Sequence, residues 1–172
     1  MTTVPPLCLV DVNVGIAANG EPGVCTVCKA CQLECIETLE ALMANGRAAL
    51  DDQDLIWAEY MNHLRIAGEP GMGDQFLRWV HDNQWQGGRC ERVPITPVAG
   101  PPPSFAEFPN DPALANFDLS DRKYVAVAAA CANLLGPATI LNAADSDWKH
   151  HEAALAANGV SVAHLCPDEL KD

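Results

Sequence analysis

The stretch Leu7-Cys8-Leu9-Val10-Asp11-Val12-Asn13-Val14 constrains the fold most. Behind Pro5-Pro6, Leu7 to Val10 is an unbroken apolar run, and Gly15 and the turn pair Asn19-Gly20 follow soon after. A short apolar run bounded by turn signals fits a strand buried on both faces, as in a parallel sheet. The stretch therefore reads as the first and central strand, with an acid at its C-terminal end. An aspartate buried there is costly unless it is paired, hydrogen-bonded or bound to a cation. In open α/β sheets the ligand sits at the C-terminal edge of the strands. Asp11 is the first candidate site residue; a helix-cap or turn role is the plainer alternative.

The rest of the chain alternates. Val24 to about Ala44 reads as a long helix, with Val24, Cys28, Cys31, Cys35, Leu39 and Leu42 on one face. Arg47 to Leu50 reads as a strand, and Asp51 to Asp54 caps a helix reaching about Ile66, with Ile56, Tyr60 and Leu64 as its apolar positions and Glu59 beside them. Met72 to about Gln84 reads as a helix and Cys90 to Ile95 as a strand. Thr96 to Pro112 carries six prolines and reads as an irregular loop, the kind that often serves as a lid or binding segment. A helix from Asp121 to about Leu135 follows, with Ser120 as its cap, then a strand at Ala138–Leu141, a helix from Asp145 to Asn158-Gly159, and a strand at Val160–Leu165. Strands alternating with helices predict one α/β domain over residues 1–172: three layers, α/β/α, around a central, mostly parallel five-stranded sheet.

Composition narrows the function. The 172 residues are 49% hydrophobic and 19% charged, enough for a folded core. The net charge is −13, split −8 and −5 between residues up to Gln86 and those beyond. Neither half is a basic nucleic-acid platform. No apolar run approaches a membrane span, and the opening Met-Thr-Thr-Val-Pro-Pro has no basic leader segment. The expectation is a cytoplasmic protein, off the membrane, whose eight cysteines are reduced. The Gly68–Gly73 loop lacks the Gly-Lys-Ser/Thr of a phosphate-binding loop, and no Ser-His-Asp set or nucleophile elbow is present.

Acids fall where this architecture gathers its loops. Asp11 ends the first strand, Asp145 and Asp147 follow the fourth, Asp121 opens the Ala-rich helix, and Glu59 lies on a helix under the same edge. Singly, each suits a cap or a solvated position. Together they repel, and a shared cation or raised pKa values would be needed to hold them. Clustered carboxylates are hard oxygen ligands suited to Mg2+ or Mn2+.

In this order the chain resembles the PIN-domain nucleases, in a poorly characterised bacterial branch. The resemblance rests on Asp11-Val-Asn13, Glu59, Asp121-Arg-Lys-Tyr-Val-Ala126 and Asp145-Ser-Asp147-Trp148. It implies a metal-dependent endoribonuclease that hydrolyses single-stranded RNA, less often DNA. It also implies Asp11, Glu59, Asp121 and Asp145 as catalytic metal ligands, Asp147 as a further ligand and Asn13 as a support for Asp11. Ala143 stands where such proteins often carry Ser or Thr. Arg122 and Lys123 are the nearest phosphate partners in sequence. A homodimer, a protein inhibitor or an assembly partner fits the resemblance, as does a non-catalytic PIN-like interaction module.

Cys25-x-x-Cys28-x-x-Cys31-x-x-x-Cys35 has the spacing of a ferredoxin run without its proline. It is an alternative thiol site for a metal or redox function. As a helix, the same residues are small buried thiols facing the sheet.

Overall fold

The computed structural model describes residues 2–171. Its centre is a five-stranded sheet in which every pairing is parallel. In chain order the strands are β1 (Leu7–Val10), β2 (Arg47–Asp51) and β3 (Cys90–Val93), then β6 (Thr139–Asn142) and β7 (Ser161–His164). Across the sheet they run β3-β2-β1-β6-β7. All four β1 residues are buried, as expected of a central strand. The order grows from β1 in one direction and then restarts on its other side. β1 and β6 therefore flank the point where a doubly wound sheet opens a crevice at its C-terminal edge.

Among the described residues seven α-helices complete the α/β plan, compatible with three layers: α1 (Val12–Asn19), α2 (Lys29–Asn45), α3 (Leu55–His63), α4 (Met72–Asn83), α5 (Arg122–Leu134), α6 (Ser146–His150) and α7 (Glu152–Ala157). Helices α1, α2 and α4 pack on one another, while α5 and α3 meet each other and lean on β2.

Several expected boundaries move. The first strand stops at Val10, and Val12 to Val14 already belong to α1. Asp11 caps that helix through Asn13 N–H, and Gly20, at φ 59°, ends it. With Val12, Val14, Gly15, Ala17 and Ala18 all buried, α1 has no polar face, so no amphipathic period announces it. Helix α2 starts at Lys29 rather than Val24, because Val24 and Cys25 turn back onto the Glu21 carbonyl. Helix α3 ends at His63 rather than near Ile66, and β3 ends at Val93 rather than Ile95. The helix expected over 145–158 breaks at His151 into α6 and α7. The proline-rich stretch is more ordered than expected: β4 (Pro97–Val98) pairs antiparallel with β5 (Ser104–Phe105), and α5 packs against β5. The cysteines are not all reduced: Cys31 is bonded to Cys166.

The crossing of α1 and α4 depends on a missing side chain. A Cβ on Gly73 meets the Gly15 carbonyl oxygen at 2.1 Å, a backbone atom that cannot swing aside. Gly73→Ala is therefore expected to destabilise the chain by about 1–3 kcal/mol in urea unfolding. Gly87→Ala, with nothing within 4 Å, is expected to leave the midpoint in place. Equal midpoints for the two variants refute the close crossing.

Candidate functional site

Three of the expected acids converge. Carboxylate oxygens of Asp11, Asp121 and Asp145 lie within 4.8 Å of one another at the C-terminal edge of β1 and β6. Asp11 and Asp121 are buried, at 4% and 6% exposure, and Asp145 is half-buried.

Each is delivered by a different element. Asp11 follows β1, and its backbone N–H donates to Leu141 O at 3.1 Å, which prolongs the β1–β6 pairing by one step. One Asp11 oxygen accepts from Asn13 N–H at 3.0 Å and the other from Trp148 Nε1–H at 2.6 Å. Asp145 caps α6, its Oδ1 accepting from Asp147 N–H at 2.9 Å. Asp121 precedes α5 in helical backbone geometry and makes no side-chain cap bond.

Asn13 and Asn142 fasten the loops together. Asn13 Nδ2 donates to Asn142 Oδ1 at 2.8 Å, and Asn13 Oδ1 accepts from Ala143 N–H at 2.9 Å. Asn142 in turn accepts from Asp145 N–H at 3.0 Å and donates to the Asp145 carbonyl at 2.9 Å. Asn13 thus supports the β6 loop as much as Asp11.

The other expected residues stand back. Glu59 Oε2 accepts from Tyr124 Oη–H at 2.6 Å and pairs with Lys123 Nζ at 3.0 Å, outside the tight cluster. Asp147 accepts from Asp118 N–H at 3.1 Å and faces His151 Nδ1 at 3.2 Å. Lys123 Nζ also donates to the Ser120 carbonyl. Arg122 donates to Ser104 Oγ at 3.2 Å and the Ala115 carbonyl at 3.1 Å, and covers the Phe108 ring at 4.5 Å. It fastens the proline-rich hairpin instead of reaching toward the acids. The four-cysteine run is not gathered as one set: Cys35 lies by the Cys31–Cys166 pair, whereas Cys25 Sγ rests on the Ala17 carbonyl at 3.8 Å.

Three contributors escaped sequence reasoning. Trp148 supplies the Asp11 donor, Asn142 ties the loops, and Asp118 adds negative charge beside Asp121. Trp148 stood in the quoted Asp-Ser-Asp-Trp run, but nothing in a sequence tells a packing indole from a donating one.

The electrostatics follow from burial. Desolvation, first of all, pushes the Asp11 carboxyl up to about 7 against the pull of its two donors, and Glu59 and Asp145 add repulsion. Desolvation likewise raises Asp121 to about 8, with Asp11, Asp118 and Asp145 adding to it and Lys123 opposing. Among the described residues no group donates a hydrogen bond to the Asp121 carboxylate. An acid without a donor, beside two others, fits a divalent cation, and oxygen-only donors fit the Mg2+ or Mn2+ class.

No family model matches the chain, and no curated protein or solved structure matches it. Among the described residues no helix is long and apolar enough to cross a membrane.

The raised values carry a sign. Between the ordinary carboxylate value of 3.8 and about 7 to 8, the folded chain holds protons that the unfolded chain has released. Stability without metal therefore falls as pH rises through that window. From about pH 5 to about pH 8 in chelator, unfolding free energy is expected to drop by several kcal/mol. Asp121→Asn is expected to flatten the drop, and Mn2+ to offset it at the upper end. A flat profile in the parent chain refutes the strained acid pair.

Proposed function

We propose that the chain is a Mg2+- or Mn2+-dependent nuclease that hydrolyses phosphodiesters, with single-stranded RNA ahead of DNA. The observation that carries this reading is the convergence of buried Asp11 and Asp121 with the more open Asp145 at the sheet's crevice. The crevice position supports it, since ligands of doubly wound sheets bind there. So does the half-buried Asp145, which opens the cluster on one side to solvent.

Asp11, Asp121 and Asp145 would hold the cation, and Glu59 and Asp147 would act from behind them. When bound, such a cation supplies Lewis acidity toward water and the phosphodiester. The residues then have separate tasks. Trp148 and Asn13 fix both oxygens of Asp11, so its orientation is set before anything binds. Asn142 fixes the backbone that carries Asp145. Lys123, 11% exposed at its side chain and bonded to Glu59, is a protein cation that acts on the Asp121 carboxyl.

A second reading is favoured by the charge. Arg122 and Lys123 are engaged inside the protein, and the net charge is −13. A cation-binding interaction module without turnover meets both facts.

Manganese-dependent cleavage of mixed single-stranded RNA and DNA separates the two readings. The parent is expected to cut RNA only with Mn2+ or Mg2+, and Asp11→Asn and Asp121→Asn to lose at least ~100-fold, the upper end of what an outer-shell partner costs. Metal binding without cleavage supports the module. Undiminished cleavage by both variants refutes the carboxylate mechanism.

A further inference from the structure

A second cluster of ligating side chains lies apart from the carboxylates. Sulfur atoms of Cys31, Cys35 and Cys166 lie within 4.8 Å of one another. Cys31 and Cys35 sit one turn apart on α2, and Cys166 arrives from the short segment after β7. Cys31 and Cys166 form a disulfide across a Cα–Cα distance of 5.3 Å. A staple between two segments needs two sulfurs. Here a third, Cys35, is fully buried against the pair as a free thiol.

The surroundings point the same way. Cys28 is the exposed N-cap of α2 and lines a cavity of about 210 Å3 together with Cys31 and Cys166. Glu34, Asp168 and Glu169 line it too, and Glu169 Oε1 accepts from Cys28 N–H at 3.0 Å. An acidic rim raises the cost of a bare thiolate and lowers that of a cation. Of the other free cysteines, Cys8, Cys90 and Cys131 are single buried thiols, and Cys25, a neighbour of Cys35, is taken up by the Ala17 carbonyl.

We propose that the reduced chain binds a soft divalent cation of the zinc class on Cys31, Cys35 and Cys166, with Cys28 as the fourth ligand. The Cys31–Cys166 disulfide is the oxidised, metal-free form of the same site. Four thiolates satisfy a closed tetrahedral Zn2+ site. Interconversion balances with a dithiol as reductant. The dithiol gives two electrons and two protons, the Sγ–Sγ bond breaks, two thiols form, and the dithiol leaves as its own disulfide. Zn2+ binding then releases the thiol protons to solvent. This site does not depend on the carboxylate reading, because its donors are sulfur.

Cobalt(II) titration of the full chain, reduced and under argon, tests it. The expected result is a sulfur-to-cobalt charge-transfer band with visible tetrahedral bands, bleached by one Zn2+ per chain. Asp11→Asn and Cys90→Ser are expected to keep the bands. Cys166→Ser and Cys35→Ser are expected to lose them, and Cys28→Ser to weaken binding at least ~10-fold. No sulfur band in the parent, with all eight cysteines titrating as thiols, overturns the proposal and leaves a plain staple. That outcome needs no variant to fold. Bands that survive both Cys35→Ser and Cys166→Ser overturn it as well. Cobalt held by the carboxylates alone gives no sulfur band, so the two sites are read separately.

Discussion

Two carboxylates share a buried corner with too few donors, and the site is built around that deficit. Asp11 has two hydrogen-bond donors and Asp121 has none. Coulomb repulsion between charges a few ångströms apart costs several kcal/mol in a partly desolvated setting. The chain has two ways to meet that cost. It can protonate the acids, which desolvation first and neighbouring carboxylates second already push up to about 7 and about 8, or it can bind a cation. The scaffold relieves the two unequally: Asn13 and Trp148 donate to Asp11 alone, while the Asn13–Asn142 bridge and the β1–β6 pairing hold Asp11 and the Asp145 loop side by side.

Burial of an acid does not by itself make a site, and the same molecule shows the contrast. Asp51 is 1% exposed, yet its carboxylate accepts from the N–H groups of Gln53, Leu55 and Ile56 and so anchors the start of α3. Asp74 is fully buried, yet it accepts from Asn19, Arg65 and Gly71 and ties α4 to the end of α1. Three donors satisfy an isolated carboxylate and make it structural. The distinguishing mark of Asp121 is therefore its lack of donors among like charges.

How much of this is legible in residues alone divides along the same line. The parallel sheet was legible because Leu7–Val10, Ala48–Leu50 and Ile140–Leu141 are short apolar runs between turn signals. Asp11, Asp121 and Asp145 were legible because they end strands or open a helix. Helix α1 was not, since a helix buried all round has no amphipathic stripe to read. The pairing of Cys31 with Cys166 was not, because 135 residues separate them and spacing on α2 favoured the nearer cysteines. Nor was the internal use of Arg122 and Lys123. A basic dipeptide beside an acid looks free in sequence, and only the fold shows Ser104, Ala115 and Glu59 taking up its charge.

That last point limits how any phosphodiester would be recognised here. With 23 acids against 10 bases, long-range attraction of a polyanion is weak or opposed. Proteins that grip nucleic acid by many basic contacts lose affinity steeply with salt. A site whose positive charge is one cation held by three aspartates should show a shallow salt dependence and a steep metal dependence instead. Substrate selection then rests on shape and on short-range contacts. The proline-rich hairpin fits that demand: Arg122 joins it to α5, directly after Asp121. Under the nuclease reading, a hairpin fastened to the residue that follows Asp121 would set the cluster and its approach as one unit. Loosening Arg122 would disturb the approach and Asp121 together.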